Sequence, residues 1–191
     1  VDITAKGLQV SDPEIETAYD QLIPGEKKAL EFLRDRIQKV EYKKLQSLNY
    51  IHKDRLVTLN NITRPLDSVG CYIPGGFAVY PSTLLMTVVP ARVAGVKRVV
   101  VCSPPSTKGD VDPMVLAAAA ISGVDEVYRI GGAQAIAAMA YGTQSITPVE
   151  KVVGPARRFV TIAKMLVSKL IAIDLPAGPT TFSTGVIDWV P

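Results

Sequence analysis

The chain has 191 residues, 48% of them hydrophobic and 20% charged, with a formal net charge of +3. That is material for one α/β domain with a substantial core plus an appendage, and the positive charge is too small and dispersed to point to nucleic acid. Apolar runs are too short to span a membrane and the N-terminus has no signal-peptide layout, so a cytoplasmic protein with no membrane or nucleic-acid partner is expected. The chain opens on Val1, which suggests processing or a piece of something longer.

Residues 1 to about 50 read as helical. "SDPE" from Ser11 to Glu14 has the form of a capping box, with Pro13 tolerated in the first turn. A second helix follows "IPGE", with Leu30, Leu33, Ile37 and Val40 on one face at helical spacing. Lysines and arginines alternate with acidic residues on the rest, the pattern of a solvated face supported by helix ion pairs. His52 is the only histidine; it stands in "NYIHKDR", read as a polar link, where it is expected to face solvent.

From Ser68 the pattern changes. "SVGCYIPGG" reads as strand then turn, "PSTLLMTVVPARVAG" as a helix kinked at Pro90, and "VKRVVVCSPP" as a strand apolar on both faces. "DPMVLAAAAISG" is a helix with Asp112 as cap, Pro113 first and Gly123 at its end. "VDEVYRIGG", "AQAIAAMAYG", "VEKVVGPA", "RRFVTIAKMLVSK" and "LIAIDLPAG" continue the alternation of strand and helix. Apolar strands alternating with helices predict a parallel sheet covered on both faces. Cys71 and Cys102 lie in strand runs and read as buried reduced thiols. With one histidine and no paired thiols, no segment has zinc-ligand spacing.

Three Gly/Pro turns follow strands: "YIPGG", "IGGAQ" and "VGPAR", with "LPAGPT" as a fourth. In a parallel sheet these share the carboxyl edge, where ligands of this architecture bind. Glycines permit close approach and helix N-termini offer free N–H groups, so an anionic, nucleotide-like ligand is expected near Gly131 and Gly132. No G-x-G-x-x-G is present.

The strings "RPLDSVGCYIPGG", "PSTLLMTVVPARVAGVKRVVVCSPP", "DPMVLAAAAISGVDEVYRIGGAQAIAAMAYGT", "VEKVVGP", "FVTIAK" and "AIDLPAGP" closely resemble the histidinol dehydrogenase family, in that family's order. The resemblance implies an incomplete Rossmann-like α/β domain related to the aldehyde dehydrogenase fold (residues 64–191), preceded by an N-terminal helical segment (1–63). It also implies a homodimeric, zinc-dependent enzyme that oxidises L-histidinol to L-histidine in two NAD-linked steps. By motif matching, Tyr72 and Gln134 stand at NAD-contacting positions. Arg157, in "GPAR", stands where the family has the asparagine of "GPGN", and Thr180 stands where it has a substrate-contacting serine. The family's zinc ligands and proton-transfer residues match nothing in this chain; they fall beyond its last residue. The expectation is an inactive fragment without a catalytic zinc of its own, with an apolar face that makes it self-associate. The alternative is a stand-alone nucleotide-binding module or pseudoenzyme of the same fold.

Overall fold

The computed structural model describes residues 7–75, 78–155 and 157–175. Two helices, α1 (Asp12–Asp20) and α2 (Pro24–Leu48), are followed by a hairpin of β1 (Tyr50–Lys53) and β2 (Thr58–Asn61). The α/β alternation then runs β3 (Ser68–Tyr72), α3 (Pro81–Val93), β4 (Arg98–Ser103), α4 (Pro113–Ser122), β5 (Glu126–Arg129), α5 (Gly132–Tyr141), β6 (Lys151–Val153), α6 (Arg158–Val167) and β7 (Ala172–Ile173). The larger sheet has five strands in the order β5-β4-β3-β6-β7, every pair parallel.

The sheet is buried on both faces, as the uniform apolar runs require. Val69, Cys71, Val99, Val101 and Val127 face one core with α3 and α4. Tyr72, Val100, Cys102, Tyr128 and Val152 face the other with α5 and α6. Helix α1 packs on α4 and α2 on α3, so the N-terminal helices close over the first core. Both thiols are buried and free, and burial pushes each up to about 12, which keeps them protonated.

Local chemistry accounts for the helix ends. Asp112 accepts the Met114 N–H at 2.9 Å, and Gly123 closes α4 in the left-handed region. Glu14 reaches back to the Ser11 N–H at 2.9 Å and hydroxyl at 2.8 Å, the acidic half of the predicted box. Helix α3 runs through Pro90 as one continuous element.

The polar link predicted around His52 is instead strand β1. It pairs antiparallel with β2, and Asp54 shapes the turn by accepting the Leu56 and Val57 N–H groups at 2.8 and 2.9 Å. His52 is exposed, as expected. No helix among the described residues is long and apolar enough to cross a membrane.

Two ion pairs tie the layers together. Arg98 and Glu126 join β4 to β5 through two contacts, 2.6 and 3.0 Å. Arg129, only 1% exposed, donates to the Gln9 carbonyl at 2.6 Å and pairs with Glu14, anchoring α1 beside β5. Arg98 holds the Glu126 carboxyl below its usual value, against partial burial. At Glu14 burial acts upward, but the Ser11 N–H and the Arg129 guanidinium outweigh it and lower the pKa. A carboxylate whose folded pKa is lowered contributes stability above its unfolded value and loses it as pH falls through the folded one. Through these two carboxylates, thermal melts should hold steady from neutral pH down to the ordinary glutamate value of 4.5 and decline below it. Glu126→Gln should lower the melting temperature near neutral pH and flatten the acid decline.

Candidate functional site

Because the five strands run parallel, their carboxyl ends share one edge. The strand order reverses at β3: β4 and β5 extend the sheet to one side, then the chain returns to lay β6 and β7 on the other. Such a reversal parts the connecting segments and leaves a crevice at the carboxyl edge. Here it is a cavity of about 620 Å³. Tyr72 and Pro74 wall it from β3, Tyr80 and Thr83 from α3, Gly132 from α5, and Pro155, Arg157 and Phe159 from the entry to α6.

Tyr72 ends β3 and is 5% exposed. Its phenolic oxygen accepts the Gly132 N–H, at 3.3 Å, at the N-terminal end of α5. Burial pushes the phenol up, and the Gly132 N–H offsets part of that, so the hydroxyl is neutral at neutral pH. Since its oxygen is the acceptor toward Gly132, its own proton can be donated to a group in the cavity.

Gln134 is exposed in the first turn of α5, its Oε1 folded back to within 2.6 Å of where a Cβ on Gly132 would stand. The amide therefore sits over the backbone of a residue that lines the crevice. Arg157, the N-cap of α6, lines the same cavity as Tyr72. The structure brings Tyr72 and Arg157 to one cavity and Gln134 to its margin. Thr180, and all of "LPAGPT" except Leu175 and its preceding strand, lie outside the described residues.

The glycines divide the close approaches differently from the sequence reading. A Cβ on Gly131 would overlap the Pro104 ring and come within 3.0 Å of its Cα, so a neighbouring turn occupies the space first assigned to a ligand. Gly132, at φ +69°, is the one that faces the cavity.

A further pair escaped the sequence reading. Lys164 of α6 is 2% exposed and forms an ion pair with Asp174 just after β7. Its Nζ donates to the Gly154 carbonyl at 3.0 Å, and Asp174 accepts the Gly154 N–H at 2.9 Å. The available signal was a lysine in register with Val160 and Val167 on the buried stripe of an amphipathic helix.

Comparison with known proteins identifies the family. The sequence matches the histidinol dehydrogenase family over residues 1–184. The histidinol dehydrogenase of Methanothermobacter thermautotrophicus is 51% identical over 178 residues, 93% of this chain and 42% of that protein. That of Methanosarcina mazei is 57% identical over 124 residues, 65% of this chain and 29% of that protein. The crystal structure of histidinol dehydrogenase from Elizabethkingia anophelis superposes with a TM-score of 0.85 at 34% identity, covering 92% of this chain and 41% of that one. The chain belongs to the histidinol dehydrogenase family. The matched segments span 29% to 42% of the length of these relatives.

Within this part of a histidinol dehydrogenase, no three or more His, Cys, Asp or Glu side chains among the described residues gather to hold a metal ion. The crevice is lined by aromatic, proline and glycine residues with Thr83, Val160 and Arg157, and none of the described lining residues is a carboxylate or an imidazole. The Gly131 contact makes a direct prediction. Gly131→Ala should destabilise the fold by about 1–3 kcal/mol through overpacking on Pro104, measured by urea unfolding. Pro104→Gly in the same chain should recover part of the loss.

Proposed function

We propose that this chain is the cofactor-side part of a histidinol dehydrogenase, an oxidoreductase of histidine biosynthesis, and that the crevice at β3 receives NAD. The observation that carries this reading is the Tyr72 hydroxyl docked on the first N–H of α5, opposite the α6 N-terminus. Two helix N-termini at one cavity favour an anion such as a pyrophosphate. The cavity volume suits a small ligand, and the part-exposed rings of Tyr80 and Phe159 offer apolar surface for a base or nicotinamide.

When bound, NAD supplies the hydride acceptor for oxidation of the alcohol L-histidinol, through an aldehyde, to L-histidine. Tyr72 contributes a neutral donor toward the cofactor, Gln134 an amide at the rim, and Arg157 a fixed positive charge in place of the family's asparagine. Thr180 belongs to the substrate side. The zinc of the family has no fitting ligand set among the described residues, and no step through it is assigned to them. The proton acceptor and the metal would come from the rest of a full-length enzyme. In this reading the protein works in the cytoplasm as a homodimer.

One observation favours a second reading, a nucleotide-binding module without turnover: Arg157 on the crevice wall changes the ligand chemistry from amide to guanidinium. The two readings share an anionic ligand and differ in catalysis. Calorimetric titration of the chain with NAD should give saturable binding, and Tyr72→Ala should weaken it about tenfold, equivalent to roughly 1.4 kcal/mol. Incubation with L-histidinol, NAD and zinc should give no NADH from this chain alone. Absence of any binding at millimolar NAD would sink the assignment of the crevice.

The outer face of α6 bears on assembly. Leu166 is 74% exposed, and Ile162, Met165 and Leu170 are exposed apolar residues of the same segment. A ridge of this size on a soluble chain marks a contact surface. Sedimentation velocity should detect concentration-dependent self-association, and Leu166→Glu should shift the chain toward monomer.

A further inference from the structure

The Lys164–Asp174 pair holds Gly154 from both sides, through the peptide group before it and the one after it. Lys164 Nζ donates to the Gly154 carbonyl at 3.0 Å, Asp174 accepts the Gly154 N–H at 2.9 Å, and the two side chains pair with each other. Gly154 has φ +130°, and any Cβ there would overlap the Tyr72 carbonyl. It is therefore the point where the β6 turn touches the end of β3, directly beside the crevice. Pro155 and Arg157, which follow it, line the same crevice as Tyr72.

A buried ion pair is rarely worth more stability than apolar side chains of the same volume, because both charges lose their hydration. What it adds is a defined geometry for the groups it touches. Here every polar contact recorded for the ammonium and the carboxylate is to the partner or to Gly154. A left-handed glycine is the residue with most backbone freedom to lose, so an unheld Gly154 would let the turn move relative to Tyr72.

We propose that Lys164 and Asp174 are positioning residues for the crevice. By fixing the Gly154 peptide they set the start of α6, and with it Arg157, at a constant distance from the Tyr72 hydroxyl. The consequence for ligand affinity rests on the reading of the crevice as a dinucleotide site; the clamp on Gly154 does not.

The test compares the wild-type chain with Lys164→Met and with the double variant Lys164→Met/Asp174→Leu. Three quantities are read: melting temperature, hydrogen exchange of the Gly154 amide by NMR, and NAD affinity by calorimetry. Lys164→Met alone should melt lower, because it strands the Asp174 charge. The double variant should regain a melting temperature near wild type, yet exchange the Gly154 amide faster and bind NAD more weakly. Each change should be about tenfold, the order expected for losing one charge-assisted hydrogen bond. A merely structural pair would recover affinity together with melting temperature, and that result overturns the positioning role. Unchanged Gly154 exchange overturns the clamp itself. If the wild-type chain takes up no NAD, the dinucleotide reading falls alone and Gly154 exchange still decides the clamp. If the double variant does not fold, Asp174→Asn keeps an acceptor for the Gly154 N–H while dropping the charge. It should show the same two changes at smaller amplitude, and wild-type values for both overturn the proposal.

Discussion

Strand β3 has a parallel neighbour on each side and an apolar core above and below, and the rest of the molecule is arranged by that fact. Its ladder to β4 runs from Ser68 to Tyr72 and its ladder to β6 from Val69 to Cys71. Both edges of β3 are paired from Val69 to Cys71, and β4 carries the pairing on to Tyr72, which ties down the end of the strand. Even Gly70 at its centre serves packing, since a Cβ there would stand 2.5 Å from the Met139 sulfur of α5. Tyr72 inherits this rigidity. Its ring is gripped by the second core while its hydroxyl emerges at the start of α5. The crevice follows from the same arrangement, because the chain must leave β3 toward β4 and come back to it at β6.

The alternating half of the fold was legible from residue 68 onward for a physical reason. A parallel strand buried on both faces is written as an unbroken apolar run, and each run here ends in Gly or Pro before a helix begins. Asp112, Pro113 and Gly123 marked both ends of α4 because capping chemistry is local. The hairpin of β1 and β2 was not legible. All eight strand residues are exposed, so no burial pattern is imprinted on them, and the turn is built by the Asp54 carboxylate without any glycine.

The site was legible in part, along the same divide between local and distant causes. Tyr72 and Arg157 could be placed at one edge from strand polarity alone, and both wall the cavity. Gly131 stood out as a position without room for a side chain, but its neighbour is Pro104 from the turn after β4. Nothing near Gly131 in sequence announces that proline. Lys164 and Asp174 were missed for a similar reason: an ion pair between a helix and the next strand shows in the sequence only as two isolated charges. The lysine's place on an apolar stripe was the single clue.

The charge at the start of α6 bears most directly on what the crevice holds. A helix N-terminus carries a partial positive charge, and stable helices place Asp or Glu in the first turn to offset it. Helix α6 has no acidic residue there and begins instead with Arg157 as N-cap and Arg158 as first residue. Helix α5, whose Gly132 N–H also faces the cavity, has no acidic residue in its first turn either. Both helix N-termini thus meet at one crevice, and α6 adds the Arg157 side chain to its lining. Under the proposed reading of the crevice, Arg157 would offer a phosphate-bearing ligand a guanidinium in place of the paired donor and acceptor of an amide.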